Sequence, residues 1–227
     1  MEFLERNIKG ICSKFGIDFH GLLSDFGVES VYELGLADLE SIAEEYELDL
    51  QGLIFKPLFR NDHMSQQLRE IKLLILDVDG VMTDGGMYFT ESGDQFKKFN
   101  TKDGMAILHL TRKNFQVGII SSGFSSKAIE KRAEMLGIQH CYVGRDRKIE
   151  VLKAWCEKLS ISLKNVAIIG DDINDLEVMH NIGFKSCPAD AVEVVKKAVD
   201  LVLTKRGGEG CVREFIDNYL EDTPIEN

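Results

Sequence analysis

Asp77 and Asp79 stand two residues apart, directly after four consecutive apolar residues, Leu73–Leu76. Like charges this close repel one another unless a cation or a shared proton compensates. Asp171, Asp172 and Asp175 follow a second apolar run, Val166–Ile169, in the sequence GDDIND. Ser121 closes a third run that begins at Phe115, and Lys148 lies near the start of a helical stretch. Several carboxylates with no compensating arginine, and with no His or Cys among them, point to a hard divalent cation bound through oxygen. That chemistry fits Mg2+ better than Zn2+. A Mg2+ that keeps open positions favours a phosphate, and Ser121 and Lys148 are residue types that bind the remaining phosphoryl oxygens. The chemistry implied is phosphoryl transfer, which needs positioning and charge neutralisation above all.

Such residues must be brought together by the elements that carry them. From Ile71 onward, short apolar runs alternate with helical patterns, which predicts βαβ units and a mainly parallel sheet. Strands are expected at Leu73–Leu76, Phe115–Ser121, His140–Val143, Val166–Ile169, Phe184–Ser186 and Leu201–Leu203. Helices are expected over Thr101–Lys113, Ser125–Leu136, Asp146–Leu159, from Leu176, over Ala191–Val199 and over Val212–Leu220. The glycines at Gly85-Gly86 and Gly93 bracket two β-like runs, Met87–Thr90 and Gln95–Phe99, which reads as a β-hairpin. Parallel strands point their carboxyl ends to one edge. Asp77, Asp79, Ser121, Lys148, Asp171 and Asp172 then share one crevice. The fold class is α/β, a Rossmann-like parallel sheet with helices on both faces.

Residues 1–65 differ in character. They hold 5 Lys or Arg against 13 Asp or Glu, a large share of the net charge of -11 carried by all 227 residues. Ile8, Ile11, Cys12 and Phe15 follow helical spacing, as do Leu36, Leu39, Ile42, Ala43 and Tyr46, and Asp38 is placed to cap a helix. Lys56-Pro57 and the polar Asn61–Gln67 read as a linker to a second domain, residues 66–227. The segment DLESIAEEYELDLQGLIF resembles the last helices of a repressor-type helix-turn-helix module, over part of that module only. An acidic helical bundle for packing or assembly is the reading that the charge favours. The same charge argues against nucleic acid or an anionic membrane as partner. Five scattered cysteines without a CxxC pair, and an N-terminus without an apolar signal core, point to a reducing, cytoplasmic setting.

DVDGV, the Ser121 strand end, Lys148 and GDDIND occur in the order of the four motifs of the haloacid dehalogenase superfamily of aspartate-nucleophile phosphatases, which this chain resembles. The resemblance implies a nucleophile at Asp77 and an acid/base at Asp79 whose carbonyl also binds Mg2+. It implies phosphoryl binding by Ser121, with Ser122 as the alternative, and charge neutralisation by Lys148. It implies Mg2+ ligation by Asp171, with Asp172 or Asp175 acting through water or orienting its partners. Both of the latter also fit a helix opening. The gaps from Asp79 to Ser121 and from Ser121 to Lys148 are too short for a cap domain of roughly 60 residues.

TDGGMYFTESGDQFKKFNTKDG and KRGGEGCVREF resemble the capless family of 3-deoxy-D-manno-octulosonate 8-phosphate phosphatases, and its sister enzymes acting on nonulosonate 9-phosphates, from about Ile71 to Leu220. The resemblance implies a phosphorylated sugar-acid substrate of surface-polysaccharide synthesis and a homotetramer in which the hairpins build a central barrel. It also implies a neighbour's tail over each site; Gly208 and Glu209 fall in the corresponding stretch, and Arg132 matches an arginine that meets the substrate carboxylate. The chain departs from the family after Ser121. Its SSGFSSK replaces the Thr-Gly-Arg of octulosonate enzymes and the Thr-Gly-Glu of a nonulosonate type, with Phe124 at the position that helps choose the sugar. The expectation is an eight-carbon substrate, with a nine-carbon one as the alternative. A regulatory or assembly protein built on the N-terminal helices is the reading from another class.

Overall fold

Leu73–Leu76 form strand β1, and all four side chains are buried. A strand of a parallel sheet is covered on both faces, so its sequence reads as one unbroken apolar run. Burying each such side chain contributes about 1.5–3 kcal/mol, which anchors the residue that follows, Asp77. The computed structural model describes residues 3–55, 58, 62–123 and 127–220. Phe124 therefore lies outside the described residues, as do Lys56 and Pro57 of the expected linker.

The chain divides into two units, Met1–Ser65 and Gln66–Asn227. In the larger, β1 is joined by β4 (Gln116–Ser121), β5 (His140–Val143), β6 (Val166–Ile169), β7 (Phe184–Cys187) and β8 (Leu201–Val202) in one sheet ordered β5-β4-β1-β6-β7-β8. Every pairing in it is parallel. β1 pairs with β4 on one side and β6 on the other, so the chain winds outward in both directions from it. That is a topological switch point, where the carboxyl ends of open α/β sheets leave a crevice.

The helices of this unit are α6 (Thr101–Arg112), α7 (Lys127–Met135), α8 (Lys148–Leu159), α9 (Leu176–Met179), α10 (Glu193–Lys196) and α11 (Cys211–Phe215). Leu73, Ile75, Val166 and Ile168 share a core with Ile149, Leu152 and Cys156 of α8 and Val178 and Met179 of α9. Leu74 and Leu76 point to the opposite face. There α6 packs on β4, and α11 packs on α6.

Several elements are shorter than the sequence predicts, three of them most clearly. The hairpin consists of β2 (Tyr88–Phe89) and β3 (Gln95–Phe96), antiparallel, with the Tyr88 and Phe96 rings stacked at 5.5 Å. The helix expected over Ala191–Val199 keeps one turn, α10, because Val192 is extended (ψ 146°). The C-terminal helix passes after Phe215 into a wider turn at Ile216–Leu220.

The smaller unit is helical: α1 (Leu4–Phe15), α2 (Phe19–Asp25), a 3-10 turn at Val31–Glu33, α3 (Leu36–Glu45) and α4 (Leu50–Phe55). Its core gathers Leu4, Ile8, Ile11, Cys12, Leu39, Ile42, Ala43 and Leu53. Phe15 and Leu36, predicted on buried faces, are exposed. They are the last residue of α1 and the first of α3, and the Phe15 ring lies against that of Tyr46, 4.9 Å between centroids. Part of the acidity caps helices. The N–H groups of Gly21, Gly35 and Gly52 donate to Asp18, Asp38 and Asp49 at 2.6, 2.8 and 2.7 Å. The polar stretch after Asn61 is α5 (Asp62–Arg69), not an open linker. Its Gln, Met, Leu and Arg are good helix formers, no Gly or Pro interrupts them, and Leu68 is fully buried. Among the described residues, no helix is long and apolar enough to cross a membrane.

Candidate active site

Asp77 continues the sheet by one residue, its N–H donating to the Ile169 carbonyl at 3.1 Å. Its side chain is thereby fixed at the carboxyl edge between β4 and β6, and it is only 6% exposed. Lys148, the first residue of α8, reaches across and donates from Nζ to Asp77 Oδ1 at 2.8 Å and to Asp175 Oδ1 at 2.7 Å. Asp175 is fully buried, and its Oδ2 accepts the Asp171 N–H at 3.1 Å. One ammonium and one backbone donor thus hold two buried carboxylates in fixed orientation.

Asp171 completes the cluster. One oxygen from each of Asp77, Asp171 and Asp175 lies within 4.8 Å of the others. Gly80 (φ +87°) makes this possible, since a Cβ there would lie 2.1 Å from Asp171 Oδ2. The electrostatics record the crowding. Burial pushes the Asp77 carboxyl up, against the opposing pull of Lys148. Asp171 is pushed up to about 7, first by burial and then by the carboxylates of Asp77, Asp175 and Asp172. Burial works against the charge on Lys148, but Asp77 and Asp175 outweigh it and hold the ammonium above the ordinary lysine range. Asp171 Oδ1 is buried without a hydrogen-bond partner. An unsatisfied carboxylate oxygen facing two more carboxylates is the donor set of a hard cation.

Asp77 and Asp171 line a cleft of about 330 Å³ together with Asp79, Ser121 and Ser122, with Lys148 and Asp175 buried behind them. Ser121 ends β4 and is buried; its Oγ accepts the Gly123 N–H at 3.2 Å. Ser122 is exposed at the cleft. The Asp79 side chain remains 43% exposed, and its Oδ1 receives the Lys97 ammonium at 2.5 Å. Lys97 comes from the hairpin and also lines the cleft.

The other sequence-predicted residues are placed differently. Asp172 borders the cleft but is exposed, and its Oδ1 accepts the N–H of Ile173 at 2.7 Å. The position beside Lys148 belongs to Asp175. Arg132 does not line the cleft. Its guanidinium lies 5.6 Å from the centre of the Phe99 ring, and Nη2 donates to the Asn100 carbonyl at 3.3 Å. Gly208 and Glu209 also lie off the cleft. The Gly208 N–H donates to Val81 O and its carbonyl accepts from Asn100 Nδ2, both at 2.9 Å, while Glu209 is exposed. A Cβ on Gly207 would lie 1.9 Å from Gly80 O. The glycine run is therefore packed on the loop that follows this chain's own Asp77. Sequence reasoning left Asp175 undecided and did not single out Lys97. Strand alternation tells that Lys97 and Lys98 face opposite ways, but not which faces inward.

Comparison with known proteins places this geometry. Residues 144–216 match the model of the haloacid dehalogenase-like hydrolases. The chain is 40% identical over 158 residues to the 3-deoxy-D-manno-octulosonate 8-phosphate phosphatase KdsC of Salmonella typhi, across 70% of this chain and 84% of that protein. The chain belongs to the 3-deoxy-D-manno-octulosonate 8-phosphate phosphatase family. Solved structures agree with this. The phosphatase from Yersinia pestis superposes with a TM-score of 0.67 at 36% identity, over 71% of this chain and 90% of that one. The Moraxella catarrhalis enzyme, in complex with magnesium, phosphate and a KDO molecule, superposes with a TM-score of 0.68 at 33% identity, over 71% and 92%. The capless α/β sheet predicted from sequence is the fold these phosphatases share.

Proposed function

We propose that this protein is a Mg2+-dependent phosphatase that releases the phosphate of 3-deoxy-D-manno-octulosonate 8-phosphate by way of an aspartyl-phosphate. The observation that carries the reading is the buried Asp77–Lys148–Asp175 ion network beside an unsatisfied Asp171. A carboxylate oxygen of Asp77 attacks phosphorus while the bond to the sugar oxygen breaks, and Asp79 gives that oxygen its proton. Asp79, now ionised, takes a proton from water as the water oxygen attacks phosphorus; the bond from phosphorus to the Asp77 oxygen breaks, which restores the carboxylate and releases phosphate. Ser121 donates to a phosphoryl oxygen, and Lys148 balances the charge on the nucleophile and the phosphoryl group. Asp77, Asp171 and the Asp79 carbonyl would hold Mg2+, with Asp172 at the rim. The ion supplies charge neutralisation of the phosphoryl oxygens.

Metal removal tests this. EDTA is expected to lower kcat at least about 1,000-fold, and Mg2+ to restore it; activity indifferent to the chelator would refute the metal site. Stability gives an independent signal. The folded Asp171 titrates at about 7 and the unfolded one at the ordinary 3.8, so the native state holds the extra proton between these values. Its stabilising contribution is complete below about pH 4 and is lost as pH rises through about 7. In EDTA the melting temperature is therefore expected to fall over that interval, and Mg2+ added at pH 7 to raise it.

The substrate reading rests on the relatives, and a ratio of kcat/KM values tests it. Octulosonate 8-phosphate is expected to exceed nonulosonate 9-phosphates by about tenfold or more.

The proposed assembly is a homotetramer joined through the hairpins. Met87, Phe89 and Phe96 support it, because this hairpin exposes 72%, 55% and 52% of them to solvent. Residues 66–227 are proposed as the catalytic domain and 1–65 as an accessory helical one. A protein of residues 66–227 is expected to keep kcat/KM within about threefold and to remain a tetramer by light scattering, since each unit has its own core. Loss of the tetramer would give the assembly role to the N-terminal helices.

A further inference from the structure

We propose that Lys97 is a positioning residue that fixes the carboxylate of Asp79, so that one chosen oxygen faces the leaving group. This rests on the assignment of Asp79 as the acid/base. A carboxyl group that must deliver a proton along one line loses rate when it can rotate or swing away. Asp79 lies on the loop after β1, and its side chain is 43% exposed. The restraint comes from the hairpin. The Lys97 side chain is 6% exposed, and its ammonium donates to Asp79 Oδ1 at 2.5 Å. Thr83 Oγ1 lies 3.5 Å from the same oxygen.

Oδ1 is thus occupied, and Oδ2 is the oxygen left to work. Oδ2 looks toward Gly123: a Cβ built there would lie 3.8 Å from it and 3.2 Å from Ser121 Oγ. It therefore shares a side of the cleft with the hydroxyl placed to bind the phosphoryl group. The proton moves from Oδ2 to the leaving oxygen as the phosphorus–oxygen bond breaks, and Oδ2 later takes a proton from water. Lys97 keeps its own protons throughout. The neighbouring residue secures the hairpin in register, with Lys98 Nζ 3.2 Å from Asp84 Oδ2, an oxygen that also accepts the Tyr88 hydroxyl at 2.8 Å. Two adjacent lysines directly after β3 thus tie the hairpin to two aspartates of the loop after the nucleophile.

A poor leaving group needs the proton in the first step, and a good one does not. The test compares kcat/KM for phenyl phosphate and p-nitrophenyl phosphate in the full-length Mg2+ enzyme. Neither compound carries a carboxylate, so direct recognition of the sugar acid by Lys97 would not register. Lys97→Met is expected to lose at least about tenfold more on phenyl phosphate than on p-nitrophenyl phosphate, and Lys97→Arg to recover most of the difference. Lys97→Gln gives the same reading if the Met variant does not fold. Asp79→Asn serves as the reference and is expected to show the same selectivity more strongly. Selective loss in Asp79→Asn but equal losses, or none, in the Lys97 variants would overturn the role of Lys97 and leave Asp79 standing. No selectivity in Asp79→Asn would remove the acid/base assignment itself, and this proposal with it.

Discussion

Asp77→Asn is expected to lower kcat by about 10,000-fold or more while leaving the fold intact and no less stable. The two halves of this result have different causes. An amide cannot form the aspartyl-phosphate, so the covalent route closes whatever the rest of the site retains. The fold survives because an asparagine fills the same space and the ammonium of Lys148 keeps Asp175 at 2.7 Å. Substitution also removes one of three carboxylates that lie within 4.8 Å of each other in a buried setting. Burial and like charge both penalise Asp77 as an anion. Relief of that penalty is worth up to about 1 kcal/mol, which at this chain length is about 2–4 °C in melting temperature. Steady-state kinetics and a thermal melt of the same preparation check both halves. Acid-quenched enzyme should carry phosphate in the parent and none in the variant. Turnover above about 1%, with mass spectrometry showing that the introduced amide has not been hydrolysed back to the acid, would sink the nucleophile assignment.

The parts of this site that were legible in the sequence are those fixed by a strand end. A strand buried on both faces announces itself as a run such as LLIL or VAII, and the residue after it must stand at the sheet edge. Asp77, Ser121 and Asp171 were placed by that logic, and Lys148 by opening a helix on the same edge. What stayed hidden depends on turns shorter than any pattern. GDDIND offers three acids within one turn, and which one points inward is set by backbone angles. Asp172 is extended (φ -130°, ψ 172°) and caps its own turn, while Asp175 is helical and buried. The glycine run near the C-terminus matched the family's tail over a neighbour's site, and it also fits a loop leading into a helix. Only its packing on Gly80, Thr83 and Asp84 shows that it supports its own chain's loop. Arg132 matched a family position, yet its contacts here are to Phe99 and Asn100. Phe15 and Leu36 obeyed helical spacing but sit at helix ends, where periodicity no longer reports burial.

Lys148→Met is expected to cost both stability and activity, and a second substitution should separate the two. The methionine fills most of the space left by the lysine stem, so little of the loss comes from a cavity. What is lost is the single cation between two carboxylates, with Asp77 and Asp175 left 8% and 0% exposed at the side chain. Removing one partner from a buried pair leaves an uncompensated charge and costs about 3–5 kcal/mol. For a chain of this size that lowers the melting temperature by roughly 10 °C. Activity should fall by about 1,000-fold, because the ammonium also offsets the charge gathered on the phosphoryl group. Lys148→Arg should rescue poorly, since a planar guanidinium cannot replace a compact ammonium shared between two oxygens. In the double variant Lys148→Met with Asp175→Asn, the unpaired buried charge at position 175 is gone, and the amide oxygen still accepts the Asp171 N–H. Its melting temperature is expected to recover by at least half, with activity as low as in the single variant. That pattern would show that Asp175 exists to hold Lys148 and Asp171 in place, whereas Lys148 serves the reaction itself. Recovery of activity along with stability would mean that the loss in Lys148→Met was one of folding, and would remove the ammonium from the mechanism.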